Sequence, residues 1–234
     1  MQKTVAGWIW MLPILFCFVS GCIEEPVDNK KVKTEALLPQ DNFPGAKSNG
    51  KFFEKDGRKY LWGGRRESQH FNVNNLKLNS DQFHFGVGRE KFQALINPRF
   101  VTAAESDFWL PDSARILGLL RDDVVKAYPL RIVNDHEVIN DKAGELPILV
   151  VYCDLAQLAA IYVRNLNGRV YTFGQAGYTY FDPAVWHGKD GFVLWDRETE
   201  SLWWPPMGRA VSGPMVGTCM KLLDSEYWCQ TTWG

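Results

Sequence analysis

The sequence predicts a β-rich α+β fold: one compact domain of short antiparallel strands and hairpins with a few short helices. Three observations predict it. From residue 114 onward, strand-length apolar runs follow one another closely. Asp56-Gly57 and Asn167-Gly168 are pairs that supply the positive φ angles of tight hairpin turns. Ten Trp, fourteen Phe and eight Tyr give an aromatic surplus suited to strands and large half-buried surfaces. A doubly wound sheet would need regular long helices between its strands, and the spacing leaves no room for them.

Taken in order, Phe52 to Trp62 reads as a hairpin around Asp56-Gly57, ended by Gly63-Gly64. His70 to Val73 reads as a further strand. Between Arg89 and Asn97, Phe92, Leu95 and Ile96 recur at helical spacing and Pro98 closes the segment, which predicts a short helix. Ile116–Leu120, Asp123–Tyr128, Ile148–Tyr152, Ala160–Arg164 and Val170–Gly174 are strand candidates, with Asn167-Gly168 turning between the last two. Leu130 to Asn140 fits a short helix or a loop. Phe192–Trp195 and Ser201–Trp204 form a pair around a charged turn.

The N-terminus carries a different signal. Lys3 precedes an apolar run from Val5 to Val19 that is too short, and interrupted by Pro13, for a good membrane span. It reads as a signal peptide over residues 1–21. The run ends Val19-Ser20-Gly21-Cys22, which is similar to the lipobox of bacterial lipoproteins and makes Cys22 the expected lipidation site. Several acyl chains, at about 0.8 kcal/mol per buried methylene, would anchor the chain firmly. Residues 22–50 alternate in charge, are broken by Pro26, Pro39 and Pro44, and read as a tether spanning roughly 30 Å. The globular domain is then 51–234. The expected location is exported and lipid-anchored. In a two-membrane cell, Ile23 after the lipidated cysteine favours the outer membrane by resemblance to enterobacterial sorting rules. A net charge of −1 offers no basic excess and argues against nucleic acid.

Three constellations hold residues capable of chemistry. Asn134 to Asp141 packs His136, Glu137, Asn140 and Asp141 together, a set able to act as acid, base or metal ligands, or simply to fix a polar loop. Cys153 ends an apolar strand beside Asp154. It reads as a nucleophile, a soft metal ligand or a small buried hydrophobe, and the adjacent carboxylate disfavours a thiolate. Asp196 and Arg197 lie in a turn bracketed by tryptophans, where Arg197 either binds an anion or, the favoured reading, pairs with Asp196. Among the remaining cysteines, Cys219 and Cys229 are close enough in sequence to close a small disulfide loop in an oxidising compartment, or else stay reduced and buried.

Ala127-Tyr128-Pro129-Leu130-Arg131, His136-Glu137 with Asn140-Asp141, Val151-Tyr152-Cys153, and Asp196 to Trp203 occur in that order. Together, and with Phe83 to Glu90 upstream, they resemble domain-of-unknown-function family 3179 over roughly residues 51–233. The family usually shows Cys-Pro-Leu-Cys-Gly after the strand. Here the second cysteine position is Ala156. The resemblance therefore implies a degenerate site: no Cys-x-x-Cys disulfide, and at most a weakly bound transition metal at His136 and Cys153. It names no reaction. The expected role is a lipid-anchored, non-catalytic domain that binds an unknown small molecule or an envelope protein. The alternatives are a metal- or thiol-dependent enzyme using His136, Glu137 and Cys153, and a structural envelope component.

Overall fold

The computed structural model describes residues 49–182, 184–185 and 190–234. The expected signal peptide, Cys22 and the tether lie outside them. In chain order the strands are β1 (Phe52–Lys55), β2 (Arg58–Leu61), β3 (Phe71–Asn72), β4 (Phe83–Phe85), β5 (Leu95–Ile96), β6 (Arg115–Arg121), β7 (Val124–Pro129), β8 (Val138–Ala143) and β9 (Leu146–Cys153). There follow β10 (Leu158–Val163), β11 (Asn165–Leu166), β12 (Arg169–Val170), β13 (Phe173–Tyr180), β14 (Gly191–Asp196), β15 (Leu202–Trp204), β16 (Arg209–Ser212), β17 (Lys221–Leu222) and β18 (Trp228–Thr232). Two short helices, α1 (Ala103–Ser106) and α2 (Leu130–His136), complete the α+β, β-rich fold the sequence predicts.

Two five-stranded sheets form the centre, in the orders β17-β10-β9-β8-β5 and β16-β15-β14-β13-β4. Smaller three-stranded sheets cover their outer faces, β18-β6-β7 on the first and β1-β2-β3 on the second. Four layers therefore enclose three apolar cores. In β9, Leu149, Val151 and Cys153 enter the central core, while Ile148, Val150 and Tyr152 point the other way, against Leu117, Leu119 and Tyr128. In β14 and β15, Phe192, Leu194 and Trp203 face the central core, and Val193, Trp195, Leu202 and Trp204 face Leu61 and Phe71. Strands covered on both faces have no polar side, which is why these segments read as unbroken apolar runs. Among the described residues, the members of all three cores lie between Phe52 and Trp228.

The hairpin turns behave as their residues dictate. Asp56 (φ 52°) and Gly57 (φ 69°) join β1 to β2, and Asn167 (φ 53°) and Gly168 (φ 82°) join β11 to β12. The expected helix over 89–97 does not form. Glu90 and Asn97 take positive φ, and Leu95–Ile96 instead pairs with β8, in parallel, at the sheet edge. The 130–140 stretch divides. Leu130–His136 is helical, Glu137 ends it in the left-handed region (φ 59°), and Asn140 and Asp141 fall on β8 rather than in a loop.

Candidate functional site

Several of the polar residues singled out in the sequence hold the fold together, and two of them, Asn140 and Asp141, join its layers. Asn140 is fully buried on β8. Its side chain donates to the Phe173 carbonyl and accepts from the Phe173 amide, both at 2.8 Å, so one amide ties the two central sheets. Asp141 accepts from Lys126 and from the Tyr128 hydroxyl, both at 2.7 Å. Beside it Arg164, which the sequence reading missed, donates to the carbonyls of Ile148, Tyr171 and Asp141. Asp196 accepts from the Thr199 amide and hydroxyl and from the Trp203 indole, which fixes the β14–β15 turn. With Asp196 so occupied, Arg197 does not pair with it as expected. Arg197 instead binds Glu90 at 2.6 Å, and Arg89 binds Glu200 at 2.8 Å, so the turn grips residues 89–90 through two ion pairs. Asp154 is exposed and engages Tyr152 and Gln157 within its own turn.

His136 and Glu137 part company. His136 donates from Nδ1 to the Gln93 carbonyl at 2.7 Å. Glu137 turns inward at the mouth of the central core, where it adjoins Cys153 and the buried Gln175. Its Oε2 and the Oε1 of Gln175 are buried without a hydrogen-bond partner among the described residues. Burial pushes the Glu137 carboxyl up to about 7, against the opposing effect of the Gln175 side chain. Cys153 is 1% exposed, and burial raises its thiol too, although the backbone amides of Ala156, Phe192 and Leu155 surround the sulfur and favour its charged form. Near neutrality the thiol is thus held protonated, the opposite of an activated nucleophile. Ala156, in the place of the family's second cysteine, is buried in the same core.

The sulfur also approaches the Asp190 carbonyl at 3.9 Å. The Asp190 carboxylate bonds His84 of β4 and accepts from the Thr179 hydroxyl at 3.0 Å. Neither Gln175 nor Asp190 carried a signal in the sequence, and the register of β13 against β14 shifts between Gln175 and Thr179. Among the described residues no three His, Cys, Asp or Glu side chains gather to hold a metal. The expected disulfide is not formed either: Cys229 is a free, exposed thiol on β18.

A second feature had no local sequence signature. A groove of about 1120 Å³ runs along β7, the edge of the β18-β6-β7 sheet, walled by the segment from Pro98 to Leu110 and by Trp233. Phe100, Val101, Trp109, Leu120 and Val125 line it while substantially exposed, Val125 by 76%. Gly118 lies on its floor with open space above: a Cβ there would meet only the Cys229 carbonyl and sulfur, at 3.8 and 4.0 Å. No helix among the described residues is long and apolar enough to cross a membrane.

No curated protein and no solved structure matches the chain. The sequence model of one family matches residues 89–234, beginning at the ion-paired Arg89 and leaving β1 to β4 outside the match. With more than half its length so matched, the chain belongs to the family of proteins of unknown function designated DUF3179.

Proposed function

We propose that this chain is an exported lipoprotein, anchored through Cys22, whose globular domain binds an apolar molecule in the groove along β7 rather than catalysing a reaction. The observation that carries this reading is the groove itself. It is concave, slightly larger than an ordinary small-molecule pocket, and bordered by apolar side chains that remain open to water. Exposed apolar area of this kind is costly to keep unless something covers it. Val125→Asp places a charge on that surface away from all three cores. It should abolish binding of a neutral naphthylamine dye to the domain while leaving the thermal midpoint within a few degrees. Undiminished dye binding would end the reading. The partner is then a small molecule, and the tether keeps the domain near the membrane that holds the anchor. In a two-membrane cell that is the outer membrane.

The rival reading, thiol or metal chemistry, draws support from one observation, the meeting of Glu137 with Cys153. Against it stand the protonated thiol and the engagement of His136 with Gln93. Tight stoichiometric binding of zinc or copper by the unmodified domain would decide for the rival.

A further inference from the structure

The charges bordering the groove are unevenly disposed, and this bears on what enters it. The turn of the β6–β7 hairpin carries Asp122 and Asp123, and Glu226 lies near it, since Tyr227 bonds Leu120. Of these Asp122 is paired, with Arg121 at 3.0 Å. That end of the groove is acidic. Farther along β7, the Phe100 ring rests against Tyr128 (5.5 Å) and under the Lys126 ammonium (4.4 Å), which places Arg99 beside the body of the strand. The Lys126 ammonium is taken up by Asp141 and the Lys142 carbonyl. Arg99 is exposed, lines the groove, and has no ion pair or hydrogen bond among the described residues. An apolar trough with an unpaired guanidinium on one side and carboxylates at its far end is complementary to a long apolar molecule with one anionic head. A cationic head would meet Arg99 at one end, and at the other would meet acids of which Asp122 is already paired with Arg121 and Glu226 already bonded by Tyr227.

We propose that the groove takes a single-chain aliphatic carboxylate, with the head on Arg99 and the chain along the outer face of β6 and β7, over Gly118 and between Leu120 and Val125. This rests on the reading of the groove as a binding site and names the class of its ligand. The length is adequate, since the six residues of β7 extend about 20 Å. A guanidinium is the suitable cation, because its planar fork receives both oxygens of a carboxylate. Gly118 is what leaves room for the chain. Its φ is not positive, so a larger side chain there fills the trough without backbone strain.

The test uses the full chain and displacement of neutral N-phenylnaphthylamine by dodecanoate, dodecanol and dodecylammonium. Dodecanoate should bind about fivefold more tightly than dodecanol, the scale of one exposed ion pair, and dodecylammonium more weakly than either. Arg99→Gln should erase the preference for the acid while leaving dodecanol unchanged. Gly118→Leu should weaken all three by about tenfold or more. Equal binding of acid and alcohol, or a preference that survives Arg99→Gln, overturns the carboxylate assignment while the groove remains a site. Failure of every compound to displace the dye, with no effect of Gly118→Leu, overturns the groove as a binding site and the ligand class with it.

Discussion

Glu137 ends a helix in the left-handed region and also buries a carboxyl whose Oε2 has no hydrogen-bond partner among the described residues. Its folded-state value of about 7 stands above the ordinary 4.5, so between these limits the folded chain holds more protons than the unfolded one. The favourable contribution is complete below pH 4.5 and is lost as pH rises through about 7, at most about 3 kcal/mol in all. Glu137→Gln should flatten this slope: urea midpoints at about pH 5 and about pH 8 should converge in the variant and differ in the parent. Arg164 offers a second test. Its guanidinium meets three carbonyls in a fixed fork that an ammonium cannot reproduce. Arg164→Lys should cost about 2 kcal/mol or more by leaving buried acceptors unmet, as read by chemical denaturation.

Among the elements, the turn from Cys153 to Gln157 separates this chain from the usual family motif. Ala156 already lies in the core that holds Cys153, and its amide faces the sulfur. Ala156→Cys should therefore form a 153–156 disulfide under mild oxidation, seen as a loss of about 2 Da with Cys229 still free to alkylate. Two free thiols at 153 and 156 after oxidation would mean the turn holds them apart. The elements also show what a sequence can reveal. β9 and β14 were legible because covered strands carry apolar residues at every position. Glu137 and Cys153 were both legible as candidates whose segments should meet, and they meet within one sheet, since β8 pairs antiparallel with β9 and the Tyr152 amide donates to the Glu137 carbonyl; Gln175, which joins them from the other central sheet, was not legible. The 89–97 segment misled because Phe92, Leu95 and Ile96 have helical spacing, yet ion pairs at Arg89 and Glu90 and pairing with β8 decide its course. β13 was read only at its first residues, since Gly174, Gln175 and Gly177 weaken its strand signal. Arg99 and Val125 drew no notice because a groove is made by surfaces far apart in the chain.

At the scale of the molecule, the family match leaves out the β1-β2-β3 sheet, yet Leu61, Phe71 and Val73 of this region cover Trp195, Trp204 and Tyr178. Removing residues 49–74 should expose that aromatic layer. The truncated chain is expected to aggregate or to bind a hydrophobic dye far more strongly than the parent. A soluble, cooperatively unfolding truncation would show that the layer is dispensable. At the opposite end, Cys22→Ser should abolish metabolic labelling with a fatty acid; unchanged labelling would remove the anchor from the proposal.

The covering of the central sheets by outer ones also has a consequence in time. Asn75 bonds the Gly213 carbonyl across 138 residues, and Tyr178 bonds the Trp62 carbonyl across 116. The strands made first during synthesis thus wait for strands made last. Such contacts pay their loop-closure entropy before any burial rewards it, which puts folding in the slow, millisecond-to-second range of non-local β proteins. Throughout that wait, β9 and β14 offer apolar side chains on both faces to any neighbour, and unfinished chains meeting one another are the main hazard. Refolding yield should accordingly fall steeply with protein concentration, even where the finished domain is stable.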